Sequence, residues 1–310
     1  MLRPMLLAII FCGLVAGAPA QAEDQQAAST PAGPRNLGNV LCLGDSITVC
    51  LGESGTWRYG LWKHLLERGY TFDFIGTQGR EDCPRAATPD YEGRDFDHDN
   101  EGHGGWTTGD LLHGRGEDTS ENLTKWLVDY TPDTVLLHIG GNDLQEARDK
   151  PWGILGIVEK AQENLRKIIR LLQADNPNVT IYLALHIKVN GDKILFANGG
   201  IALYNAGLPA IARELSTPES RIILVDHNAG WSNDLLGEDG IHPNAAGNER
   251  MANVWFESID LGPRSITLQP PIVSCVPECD GKSGGPAGWG DLLLFGASLA
   301  VLKFGAVRGI

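Results

Sequence analysis

Apolar runs of strand length alternate along this chain with segments of helical periodicity, and no other feature constrains the fold as tightly. The runs are Asn39–Leu43, Phe72–Ile75, Thr134–Ile139, Thr180–Ile187 and Ile222–Val225. Between the third and fourth, Ile154, Ile157, Val158, Ala161, Leu165, Ile168, Ile169 and Leu172 recur at the spacing of a core-facing helix that starts after Pro151 and stops before Pro177. Leu61, Leu65 and Leu66 predict a shorter helix after the first strand, Leu203–Leu215 another before the fifth, and Ala245–Ile259 a last one capped by Asn244. Such alternation predicts an α/β domain built on a five-stranded parallel sheet with helices on both faces. Ligands of these sheets bind beyond the carboxyl ends of the strands, so functional residues are expected just after strands.

With 310 residues, 42% of them hydrophobic, the chain can bury a sizeable core. Its 25 Lys and Arg against 39 Asp and Glu leave a net charge of -14, which argues against a nucleic-acid partner because phosphate binding needs a basic face. Arg3, the short apolar run Met5–Val15 and the small residues Ala18-Pro19-Ala20 or Ala20-Gln21-Ala22 read as a signal peptide over residues 1–22. Export to the periplasm, cell surface or medium is therefore expected, with a linker over 23–36 and the α/β domain over 37–262. Residues 263–291 are a Pro/Gly-rich linker, and the apolar segment 292–310 reads either as a small packed helix or frayed end, or as a sorting signal for surface attachment. Cleavage would remove Cys12 and leave five of the six cysteines. Cys42 reads as a buried small hydrophobe; Cys50, Cys83, Cys275 and Cys279 are available to pair, with Cys275–Cys279 the easiest local closure.

The first strand opens into Gly44-Asp45-Ser46-Ile47-Thr48. Ser46 reads either as an exposed nucleophile at a strand end or as the N-cap of the next helix. A serine nucleophile needs a base, and His242 lies in Asp239-Gly240-Ile241-His242-Pro243, where Asp239 can hold the imidazole tautomer and stabilise its charged form. No other histidine has such a setting in the sequence: His64 falls in a helical pattern, His138 and His186 in apolar strands, His98 and His113 in polar loops. Acyl transfer also needs donors for the oxyanion. Asn142 in Gly140-Gly141-Asn142-Asp143 directly follows the third strand, and Gly105 in Glu101-Gly102-His103-Gly104-Gly105-Trp106-Thr107 lets a backbone N–H approach a ligand, though both segments are also ordinary turn chemistry.

In chain order, Gly44-Asp45-Ser46, Gly105, Asn142 and Asp239-x-x-His242 resemble the four blocks of the SGNH (GDSL) hydrolases, over about residues 37–260. The resemblance implies a flavodoxin-like three-layer α/β/α sandwich and a serine esterase that uses no metal or other cofactor. It implies Ser46 as nucleophile, His242 as base and then acid, Asp239 as its orienting carboxylate, and Ser46, Gly105 and Asn142 as the oxyanion hole. Gly141 departs from the Thr that many members carry, and a loosened loop is expected there. The only Gly-x-Ser-x-Gly match, Gly281–Gly285, has no strand before it and is set aside.

The runs Trp57-Arg58-Tyr59-Gly60-Leu61-Trp62, Phe72-Asp73-Phe74-Ile75-Gly76 and Gly102–Thr107 look like the acetylxylan-esterase-like branch, carbohydrate esterase family 3. That implies acetylated carbohydrate as substrate, with a lipolytic esterase or arylesterase, or a non-catalytic glycan-binding protein, as alternatives. Trp57, Tyr59 and Trp106 are candidate faces for sugar rings. Asp95–Glu101 resembles the start of a calcium loop, but Asn100 stands where the glycine belongs and Trp106 where the bidentate Glu belongs, so a solvated rim and no metal are expected. Asn122-Leu123-Thr124 and Asn178-Val179-Thr180 fit the glycosylation pattern.

Overall fold

The computed structural model describes residues 35–50, 55–83, 88–117, 119–145, 153–191 and 197–262. The signal peptide, nearly all of the 23–36 linker, the C-terminal linker and tail, and Cys275 and Cys279 lie outside them. The sheet is parallel throughout: β1 (Asn36–Gly44), β2 (Thr71–Ile75), β3 (Glu101–Gly102), β4 (Thr134–His138), β5 (Thr180–Leu185) and β6 (Ile222–Asp226). Its order is β2-β1-β4-β5-β6, with β3 also paired to β1. The sheet thus has six strands, not five. The added strand is two residues long and begins with a glutamate, so it carries no periodic signal. β2 pairs with β1 as far as Leu41, and β3 takes over the same strand at Leu43 and Gly44. That handover brings residues 101–107 beside the end of β1.

Eight helices surround the sheet among the described residues: α1 (Ser46–Val49), α2 (Trp57–Glu67), α3 (Thr108–His113), α4 (Leu123–Trp126), α5 (Gly141–Gln145), α6 (Ile154–Asp175), α7 (Ala197–Leu215) and α8 (Ala245–Asp260). Successive strand residues face opposite layers. Leu41, Leu43, Val135, Leu137, Ile181 and Leu183 pack with α6 and α7 through Leu165, Ile168, Ile169, Leu208 and Ile211. Val40, Cys42, Leu136, Tyr182 and Ala184 pack with α2 and α8 through Trp57, Leu61, Met251 and Trp255. Burial on both faces is why the strands read as unbroken apolar runs. Gly60 lets α2 and α8 meet closely, since a Cβ there would lie 2.7 Å from that of Ala252. None of the described helices is long and apolar enough to cross a membrane.

Cys50 and Cys83 form a disulfide, with Cα atoms 5.7 Å apart, and Cys42 is buried with its thiol pushed up to about 12 by burial. The bridge ties the end of α1 to the segment after β2 across a separation of 33 residues. Closing a loop of that size in the unfolded chain is worth roughly 3–4 kcal/mol. Reduction, or Cys50→Ser with Cys83→Ser, should lower unfolding free energy by about that amount in urea titrations. Asn122 caps α4 by accepting from Lys125 N and is buried, so a glycan there would cost the cap.

Candidate active site

Ser46 is the first residue of α1, and the capping role belongs to Asp45, whose carboxylate accepts from Ile47 N at 3.0 Å. Gly44 has room for no side chain, because a Cβ would meet the His138 carbonyl and Thr48 Oγ1 at 2.3 Å. The turn from β1 into α1 is thus made by close approach. α1 has only four residues, and Cys50 N donates to the Ser46 carbonyl at its end. Trp57 Nε1 donates to the Ile47 carbonyl at 3.1 Å and Arg58 Nε to that of Thr48 at 2.9 Å. Arg58 is fully buried and also donates to the His98 carbonyl; burial brings its guanidinium down to about 10. Sequence reasoning passed over Arg58, since one charged residue in an amphipathic helix gives no sign of pointing inward.

His242 Nε2 lies 2.9 Å from Ser46 Oγ, and His242 Nδ1 lies 2.6 Å from Asp239 Oδ2. The other Asp239 oxygen accepts the backbone N–H of Ile241 and His242 at 2.8 and 2.9 Å. Partial burial pushes the Asp239 carboxyl up, but the His242 ring and these backbone donors outweigh it, and the net direction is down. An ionised Asp239 places the imidazole proton on Nδ1 and leaves Nε2 as the acceptor facing the serine hydroxyl. The turn ends where Asn244 caps α8 by accepting from Gly247 N.

The Ser46 N–H, at the first helical position, has no carbonyl within the helix. Asn142 Nδ2 donates one hydrogen to the Trp106 carbonyl at 2.9 Å, leaving a second N–H on the same nitrogen. Gly105 has φ +78°, and the peptides around it are pinned: Arg115 Nη1 donates to the Gly104 carbonyl and Trp106 N to that of His103. The structure therefore joins Asn142 directly to the loop of Gly105. Asn142→Ala removes a side-chain donor and the tether of this loop together. Turnover of a short ester should fall by roughly a hundred to a thousand, at a melting temperature within a few degrees of wild type.

The same loop rests on a buried cluster that the sequence reading missed. His103 Nε2 lies 2.6 Å from Glu101 Oε1, and its ring stacks on Trp106 and Trp126 with centroids 4.4 and 4.6 Å away. Glu101 is fully buried and also accepts from Thr77 N, Thr77 Oγ1 and Tyr130 OH. Among the described residues, His242 is thus one of two histidines hydrogen-bonded to a carboxylate, and the two-residue spacing of Glu101 and His103 was the available signal. Asp95–Glu101 is no solvated rim: Asp97 accepts from Phe74 N and Asp99 N, and Phe96 and Asn100 are buried.

Two of the candidate sugar-facing aromatics are corrected outright. Trp57 is fully buried against Trp255, 5.4 Å between centroids, and braces α1. Trp106 is 9% exposed because His103 and Trp126 stack on it. Tyr59 is engaged by Trp62, Phe96 and the Lys63 ammonium, and its hydroxyl donates to the Pro89 carbonyl.

Behind the nucleophile turn lie His138, His186 and His227, with His138 4.5 Å from His186 and 6.0 Å from His227 between ring centroids. Burial holds all three neutral, bringing His186 down to about 4, His227 to about 3 and His138 well below the usual imidazole range. In the unfolded chain they take up protons near 6.5, so below that pH the unfolded state binds the extra protons and stability falls as pH falls. Asp45 runs the other way: burial lifts its carboxyl from 3.8 to about 7, so the folded state holds that proton over the same window. Three losses against one gain leave a net loss. The melting temperature should drop from pH 6.5 toward about 4, with a slope of up to about 1.4 kcal/mol per pH unit for each net proton. Among the described residues, Asp45, His138 and His186 are also the group whose ligand atoms, all within 4.8 Å of one another, could hold a metal ion.

A three-layer sandwich with a serine, histidine and carboxylate in line at the carboxyl end of its first strand, and an asparagine after a neighbouring strand, defines a hydrolase of SGNH type. The GDSL-like Lipase/Acylhydrolase family model matches residues 42–250, and the chain belongs to that family. It is 29% identical over 265 residues to a multidomain esterase of Ruminococcus flavefaciens, covering 82% of this chain but about a third (32%) of that protein's length. A solved acetyl esterase with an acetate ion is 27% identical at a TM-score of 0.56, covering 71% of this chain and 95% of that one. A carbohydrate esterase family 3 structure from Talaromyces cellulolyticus shares 27% identity at a TM-score of 0.57 with the same coverage.

Proposed function

We propose that the chain is an exported serine esterase that removes acetyl groups from carbohydrate hydroxyls through an acyl-Ser46 intermediate. The observation that carries the mechanism is the line from Ser46 Oγ to His242 Nε2 at 2.9 Å and from His242 Nδ1 to Asp239 Oδ2 at 2.6 Å. Ser46 Oγ attacks the ester carbonyl carbon as its proton passes to His242 Nε2. The oxyanion is received by the N–H groups of Ser46 and Gly105 and by Asn142 Nδ2. Collapse expels the sugar oxygen, which takes the proton from His242. Water then attacks the acyl carbon, giving its proton to His242, and acetate leaves as Ser46 Oγ is reprotonated.

The acetyl and carbohydrate parts draw support from the solved acetyl esterase and the carbohydrate esterase, each about a quarter identical to this chain. Export draws support from the signal-like residues 1–22 and from the Cys50–Cys83 disulfide, since such bonds persist in oxidising compartments. The deciding experiment compares acetyl, butyryl and octanoyl esters of one alcohol, alongside acetate release from acetylated xylan. A specificity constant that falls with chain length, with acetate released, is expected. A lipolytic site would instead gain roughly 0.8 kcal/mol for each added buried methylene, and a rising constant without acetate release would overturn the carbohydrate assignment. A purified protein with no esterase activity would favour glycan binding alone.

A further inference from the structure

Gly141 stands where a side chain would collide with a histidine from another strand. A Cβ built there would lie 2.3 Å from His186 Nε2 and 2.7 Å from its Cε1, so the imidazole occupies the volume a side chain at 141 would take. The loosened loop expected at Gly141 is instead filled. His186 is held firmly just beyond β5: its N–H donates to Asn205 Oδ1 at 2.8 Å, and Asn205 Nδ2 returns a bond to its carbonyl at 2.9 Å. The ring Nδ1 donates to the Ile187 carbonyl at 2.9 Å, which leaves Nε2 with a bare lone pair. That nitrogen is buried without a hydrogen-bond partner, 4.0 Å from Asp45 Oδ2. The Asp45 carboxylate also holds Ile47 N at the start of α1. One ring therefore abuts both the turn that carries Ser46 and the turn that carries Asn142.

We propose that His186 is a positioning residue for ester hydrolysis, filling the space Gly141 leaves open and packing beside Asp45 so that the Ser46 and Asn142 turns keep one mutual distance. The inference rests on Ser46 as nucleophile and Asn142 as oxyanion donor. Its physical basis is that a misplacement of about 1 Å in a catalytic constellation costs about a hundredfold in rate. Gly141 and His186 then form a complementary pair, each tolerable only with the other or with both exchanged.

The test measures kcat, KM and melting temperature on a short acetyl ester for His186→Ala, Gly141→Thr and the double variant, with metal analysis of the wild type. His186→Ala should lower kcat about a hundredfold at little-changed KM. Gly141→Thr should lose at least as much, because its side chain meets the ring. In the double variant Thr enters the vacated space, and kcat should return to within about tenfold of wild type. If Gly141→Thr does not fold alone, recovery of the double variant over His186→Ala still decides: recovery supports the pairing and its absence overturns it. Wild-type kcat in His186→Ala, a drop in melting temperature without a drop in kcat, or losses that merely add would overturn it. So would a stoichiometric metal whose removal abolishes activity, since Asp45, His138 and His186 would then be ligands. Ser46→Ala run alongside separates the failures: retained hydrolysis removes both readings, whereas an inactive Ser46→Ala makes any failure the pair's own.

Discussion

Ser46→Ala should abolish ester hydrolysis, cutting kcat by roughly four to six orders of magnitude with the fold intact. The hydroxyl is the group in the line from Ser46 through His242 to Asp239 that attacks the acyl carbon in the proposed mechanism, and its loss leaves the oxyanion donors in place. Those donors and substrate binding alone sustain a residual rate roughly a thousand to ten thousand times that of water, which sets the floor for the variant. Asp45, not Ser46, caps α1, so the substitution removes no helix-stabilising bond, and the melting temperature should be nearly unchanged. His242→Ala should lose a comparable amount, and the double variant little more, because the two act as a unit. Steady-state rates on a short acetyl ester, with labelling of the wild type by a serine-reactive phosphonate, check both. A Ser46→Ala enzyme within tenfold of wild type would remove Ser46 from the chemistry.

Most of the fold was legible because the sheet is buried on both faces and α6 presents one apolar stripe. The last helix and its Asn244 cap were legible for the same kind of local reason. What escaped was made by contacts between distant residues. β3 is two residues of ladder that only the end of β1 gives a partner. Thr77, Glu101, His103 and Tyr130 become a buried cluster only when three separate segments converge, and Arg58 points inward to meet the Thr48 carbonyl of α1. Trp57 was misread for the same reason: its indole N–H has a carbonyl to meet at 3.1 Å inside the core. The disulfide was open in the sequence because loop closure favoured neighbours, while the fold sets Cys50 and Cys83 side by side. The serine, histidine, aspartate and asparagine were legible because each sits just after a strand or in a short motif of its own, and the fold brings Ser46 to His242 across 196 residues.

Asp239→Asn should slow turnover by roughly a thousandfold or more while leaving KM within a few fold. The amide keeps the size of the carboxylate, and its oxygen can still accept from Ile241 N and His242 N, so the turn should hold its shape. Its NH2 group then faces His242 Nδ1, which must become an acceptor. The imidazole proton moves to Nε2, and the ring can no longer take the serine proton. The effect should fall toward the lower end for such a substitution, because the Asp239 side chain is 46% exposed and water screens part of what the carboxylate contributes. The same exposure gives the sharper test. Asp239→Ala opens a space water can enter, and water accepts from Nδ1 without forcing the wrong tautomer. The Ala variant should therefore turn over faster than the Asn variant, despite removing more of the side chain. Equal and slight losses in both would mean that something other than Asp239 orients His242.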